Sequence, residues 1–242
     1  MKQRLQHIMI FTAAAMLVSL MGWSAHTAWK NAVKKAGPEA EIGILPKDKH
    51  YILKRDIMNI VRQTSTAEKD KDIHAYLKHL ENRLENHPLI TRADVWFTPD
   101  GKIHIRAYQI EPIALAETSG GWKYLTREGE MAPVSPYQKT VLPKIKGVGE
   151  AAEIKKLYPL MEYIYTRPSL RNAVKSLRYD GRKWWLYAYT LPVPAILGDT
   201  TGFREKLYKY RVISSYLHAQ KSYPYTGIDL RYKNQIVCSK NL

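Results

Sequence analysis

From Leu5 to Trp29 the chain carries no Asp, Glu, Lys or Arg, and the centre of that run reads IMIFTAAAMLVSLMGW. Such a segment has few places to go, because water does not favour so much apolar surface on one stretch. About 20 mostly apolar residues cross a bilayer as a helix, and Ile8 to Trp29 supplies them. A cleaved signal peptide is the alternative, but its cut site wants small residues where Trp23 and His26 stand. Trp23 and Trp29 suit a membrane–water interface instead. The expectation is a retained transmembrane helix over 8–29, following a tail of residues 1–7. Lys2 and Arg4 in that tail favour a cytoplasmic N-terminus. A basic linker over 30–39 then leads to a working part outside the cytoplasm.

Formal net charge is +16 and 45% of residues are hydrophobic, so the rest of the chain can bury a core. A basic balance favours acidic partners, and an extracytoplasmic placement excludes nucleic acid from them. The single cysteine, Cys238, forms no intramolecular disulfide and lacks the companions of a zinc site.

Past the linker, AEIGIL reads as a strand and KRDIMNIVRQ as a short helix. STAEKDKD is turn-like, and IHAYLKHLENRLENHP is an amphipathic helix with Ile73, Leu77, Leu80 and Leu84 on one face. LITRADVWFT and KIHIRAYQI alternate with period two around Asp100-Gly101, which reads as a hairpin. EPIALAE reads as a hinge into a second region, which opens with a hairpin around Glu128-Gly129. EIKKLYPLMEYIYTRP is helical with a kink or break at Pro159; VKSLRYDGRKWWLYAY and VPAILGD read as strands, and FREKLYKYRVISSYLHAQ as a helix. GIDLRYKNQIVC reads as one last strand over 228–237, with Ile228, Leu230, Tyr232, Asn234 and Ile236 sharing a parity. The fold class is therefore α+β, the second region being mostly antiparallel sheet with flanking helices.

Reactive groups do not converge. His74 and His79 are spaced wrongly for two ligands on one helical face. There is no Gly-rich phosphate loop, HExxH or nucleophile elbow. Glu128 and Glu130 flank a turn, where carboxylates are ordinarily solvated, and apolar neighbours would raise the pKa of Cys238. The expectation is no enzyme, no cofactor and no metal. Trp184, Trp185, Tyr187 and Tyr189 read as core and interface aromatics on both faces of a strand.

LENHPLITRADVWFTPDGKIHIRAYQIEPIALAE, GWKYLTREGEMAPVS, and VPAILGD followed by YTGIDLRYKNQIVC together resemble the FtsQ/DivIB family of bacterial cell-division proteins. The likeness implies a POTRA-like domain over 40–116 and an FtsQ-type β-domain over 117–242 ending in a partner-binding strand. Glu111-Pro112 departs from the fuller join common in the family. The resemblance implies a non-enzymatic scaffold of the cell inner membrane, concentrated at the division septum. Its partners would be FtsB-like and FtsL-like bitopic proteins and, indirectly, the septal peptidoglycan synthase complex. Arg231 and Tyr232 match the family's partner-contact positions; Asp229, Lys233, Asn234 and, less closely, Arg182 join them as implied contacts. An exposed last strand offers an edge that a partner strand can extend. The alternatives are a POTRA-bearing component of envelope protein transport or assembly, and an anchored cell-wall enzyme.

Overall fold

The computed structural model describes residues 2–35, 40–64, 72–138 and 141–240, with side chains over 11–28, 30–31 and from residue 40 onward within those ranges. The first element, α1 (Lys2–Lys35), is one continuous helix that runs on into the stretch expected as linker. Among the described residues no helix is long and apolar enough to cross a membrane. The side chains of Ile8, Met9, Ile10 and Trp29, which belong to the expected span, lie outside the described ones. The chain divides into two compact units at Gln109/Ile110.

In the first unit, β1 (Ala40–Leu45), α2 (Lys54–Gln63), α3 (Ile73–Glu85), β2 (Ile90–Phe97) and β3 (Ile103–Gln109) follow one another. Most of the turn-like STAEKDKD lies outside the described residues. Asp72 caps α3 by accepting hydrogen bonds from the N–H groups of His74 and Ala75. The sheet order is β1-β3-β2, with β1 parallel and β2 antiparallel to β3. Ile57, Val61, Tyr76, Leu80 and Leu84 from the helices and Ile103, Ile105 and Ala107 from β3 are buried. Buried Gln109 stitches the loop after β1. Its Oε1 accepts from the N–H groups of Tyr51 and Ile52, and its Nε2 donates to the carbonyls of Pro46 and Lys49.

The second unit opens with β4 (Pro112–Thr118), which corrects the expected hinge: the short apolar run PIALAE is a central strand. Pro112, as the first residue of the strand, costs little of its ladder. Next come β5 (Gly121–Thr126), β6 (Met131–Pro133), β7 (Lys144–Lys146), α4 (Ala151–Lys155) and α5 (Tyr158–Tyr165). The helix breaks where expected, with Pro159 in the first turn of α5, where its missing N–H has no helical acceptor in any case. An unforeseen short helix, α6 (Pro168–Ala173), precedes β8 (Val174–Tyr179) and β9 (Trp184–Ala188). The unit continues with β10 (Ala195–Gly198), α7 (Phe203–Gln220), β11 (Gly227–Asp229) and β12 (Val237–Ser239). Sheet order is β12-β11-β10-β9-β8-β7-β4-β5-β6. The sheet is mixed: β4/β7, β7/β8 and β10/β11 run parallel, and the other neighbours antiparallel.

One cross-strand row, Ala116, Ile145, Leu177, Leu186, Ala195 and Ile228, is fully buried. It faces Leu157, Leu160, Met161, Ile164, Leu207, Tyr210 and Leu217 of the helical layer. The helices thus pack on one face of this sheet, and the apolar parity of each strand points there.

The expected last strand over 228–237 is instead a hairpin, β11 pairing antiparallel with β12 through Gly227↔Ser239, Ile228↔Cys238 and Asp229↔Val237. Leu230 to Ile236 form the connection, with Asn234 at φ 59°. Asn is among the few non-glycine residues that enter this left-handed region readily. The two-residue alternation continued through a turn, which is why it resembled a strand.

Candidate partner-binding site

The connection between β11 and β12 lies against the first turns of α7, and sequence chemistry places it there. β10 ends at Gly198, whose φ of 74° suits glycine, and a Cβ there would sit 2.8 Å from Cγ and Cδ of Arg231. The chain then turns at Asp199, whose Oδ1 accepts from the N–H of Thr201 at 3.1 Å and its hydroxyl at 2.8 Å. Gly202, at φ 57°, starts α7. Lys206 Nζ donates back to Asp199 Oδ1 at 2.7 Å, which holds that carboxyl below its ordinary pKa.

Lys209 is the anchor of the connection. It is only 8% exposed, and its Nζ donates to the carbonyl of Tyr232 at 2.6 Å and meets Glu205 Oε1 at 3.4 Å. Glu205 Oε1 in turn accepts the N–H of Asn234 at 3.4 Å. That hydrogen bond, with the Lys209 pairing second, lowers the Glu205 pKa. A buried ammonium needs such partners, so α7 fixes the path of residues 232–234.

The implied contact residues fall into three situations. Asp229, on β11, is buried and faces its own chain: Arg231 Nε lies 3.0 Å and Nη2 2.7 Å from its oxygens. That two-nitrogen grip depresses the Asp229 pKa and raises that of Arg231. Arg231 is therefore half committed to its own chain. Tyr232 is exposed on the connection, so it does not share the burial of Ile228 and Leu230 as its parity suggested. Lys233 is exposed and makes no ion pair among the described residues. Asn234 sets the turn, and proline there would be excluded by its positive φ before any partner is considered. Arg182 stands apart in the β8–β9 turn, where its N–H donates to Asp180 at 2.9 Å.

Lys206, Lys209, Arg231 and Lys233 share a concavity of about 350 Å³ with Asp199 and Glu205. Four cations against two acids leave the lining positive. Lys206, Lys209, Asp199 and Glu205 escaped sequence reasoning. The signal was lysines at i and i+3 beside the apolar stripe of Leu207 and Tyr210. Beside the concavity, β12 ends the sheet order with one neighbour, β11. Val237 on it is exposed, and Cys238 is half-buried, which pushes its thiol pKa up. Elsewhere, Glu130 pairs with Lys155, and Glu128 is exposed in its turn. Such a surface can take up carboxylates and a strand.

No curated protein matches the chain. The POTRA-like domain model matches residues 45–108. The model described as FtsQ/DivIB, C-terminal related, matches residues 111–239, over half of the chain and all of the hairpin site. By that match the chain belongs to the FtsQ/DivIB family of cell-division proteins.

Proposed function

We propose that this chain is a non-enzymatic division scaffold whose second unit docks FtsB-like and FtsL-like bitopic proteins and so links them to septal peptidoglycan synthesis. The observation that carries this is the pairing of an open strand edge, β12, with the cationic concavity beside it. A partner strand laid along β12 would gain backbone hydrogen bonds, and the adjoining cations would select acidic side chains. Lys233 and the outer part of Arg231 meet the partner's carboxylates, and the exposed ring of Tyr232 supplies aromatic contact. Asp229, Asn234, Glu205 and Lys209 hold that surface in shape. Arg182 serves as an outlying contact.

The same reading places Ile8 to Trp29 across the inner membrane, with the N-terminus cytoplasmic and both units extracytoplasmic at the septum. The uncharged run supports it. Co-purification of tagged FtsB-like and FtsL-like proteins with the intact chain from detergent-solubilised membranes tests the docking. Wild type should retain them, and Lys233→Glu and Tyr232→Ala should lose them at unchanged melting temperature. Retention by both variants would place the partner elsewhere.

A further inference from the structure

The face of the large sheet turned away from its helices carries a second set of groups that the hairpin site does not use. Along one cross-strand row, Lys146 stands opposite Arg178, and Arg178 opposite Trp185. On β4, Ala116 pairs with Ile145, which brings Glu117 alongside Lys146, and Glu117 faces Trp122 on β5. Trp122, Glu117, Lys146, Arg178 and Trp185 therefore form one cross-strand row over five strands, about 19 Å at ~4.8 Å per strand. None of them belongs to the core.

Both indoles are set in place. Lys144 and Lys146 each put Nζ 5.7 Å from the centroid of Trp122. Trp185 donates its Nε1–H to Asp180 at 2.6 Å, and Lys183 lies 4.7 Å from its ring. Lys144, Lys146 and Arg178 make no ion pair among the described residues, although the unit is rich in such pairs elsewhere. A ring at each end and unpaired cations between them suit a linear ligand with ring faces and spaced negative charges.

We infer that this row binds a strand of acidic polysaccharide. The strands beneath the row are central and paired on both sides, so an added peptide strand finds no backbone partners there. A nucleic acid carries a charge on every residue, and one would fall on Glu117. A glycan with a carboxylate on alternate sugars seats one carboxylate between Lys146 and Arg178, which lie ~4.8 Å apart, and leaves a neutral sugar toward Glu117. The apolar faces of its end sugars stack on Trp122 and Trp185, whose rings need little ordering on binding.

The test titrates the intact protein in detergent with a hyaluronan decasaccharide, which alternates uronate and neutral amino sugar. Oligo-dT, polyglutamate and a chitin oligosaccharide serve as comparison probes. Hyaluronan should bind most tightly of the four. Trp122→Ala should weaken it about tenfold, as loss of an aromatic anchor does, and the double change Lys146→Glu, Arg178→Glu should abolish it. Melting temperature should be unchanged in both, since the side chains are outside the core. Lys233→Glu should leave hyaluronan binding untouched, separating this face from the hairpin site. Glu117→Gln should improve oligo-dT binding more than hyaluronan binding. Tighter binding of oligo-dT or polyglutamate than hyaluronan by wild type, or full hyaluronan binding by Trp122→Ala, would overturn the inference.

Discussion

Replacing Lys209 with methionine keeps an unbranched apolar stem and removes the terminal ammonium, and the consequences follow from three contacts. The Nζ hydrogen bond to the Tyr232 carbonyl is lost, as is the pairing with Glu205. Glu205 then holds Asn234 without its counter-charge. A hydrogen bond from a charged group contributes about 1.5–3 kcal/mol, and a half-exposed i,i+4 pair adds about 0.3–0.5 kcal/mol. Methionine recovers part of this, because the ammonium no longer has to be desolvated. A net cost on the order of 2 kcal/mol remains, and it falls on the closing of the connection over 230–236. At 1.4 kcal/mol per tenfold, local opening should become roughly 30-fold more frequent. Amide hydrogen exchange across residues 230–239, followed by mass spectrometry on Lys209→Met and wild type, reads this directly. Faster exchange confined to the hairpin is expected, with partner capture weakened in parallel. Wild-type protection of the hairpin in Lys209→Met would refute the claim that α7 holds the site in shape.

Gly147→Ala would place a Cβ 2.1 Å from the carbonyl oxygen of Tyr179 at a φ of 82°, so it should cost more than ~3 kcal/mol and be visible as a large loss in chemical denaturation. Gln109→Leu strands the N–H groups of Tyr51 and Ile52 and the carbonyls of Pro46 and Lys49; about 2–4 kcal/mol should vanish from the first unit's melting transition. Hydrogen bonds from Trp185 Nε1 and from the N–H groups of Lys183 and Arg182 hold the Asp180 pKa down from 3.8 to about 2. A carboxyl depressed in the fold stabilises fully above 3.8 and loses that contribution as pH falls through about 2. Asp180→Asn should therefore flatten the acid limb of the stability–pH curve in that window, and an unchanged limb would contradict the assignment.

Periodicity carried much of the fold. The apolar stripes of Lys54–Gln63, Ile73–Glu85 and Phe203–Gln220 and the period-two runs of β2 and β3 were legible, because each element is long enough to repeat its pattern. The helix Pro168–Ala173 was not, since its six residues complete fewer than two turns. PIALAE was mistaken for a joint because Ile113 and Ala114 are both buried beside a register shift between Pro112 and Ala114, which erases the alternation in so short a run. Alternation through Leu230–Ile236 misled for the opposite reason: a turn can continue a pattern that no sheet enforces. Of the site, Arg231 and Tyr232 were legible by resemblance. Lys209, which holds the Tyr232 carbonyl, and Glu205, which holds the Asn234 N–H, precede those residues by more than twenty positions and meet them only through the packing of α7.

The central claim is that β12 is an edge completed by a partner. The most direct measurement is amide exchange at Val237, Cys238 and Ser239 in the intact protein, alone and co-purified with an FtsB-like protein. Strand addition predicts that protection rises on binding at Cys238, whose N–H faces away from β11, and that Lys233→Glu abolishes the rise. Partner binding that leaves exchange at Cys238 unchanged would contradict it.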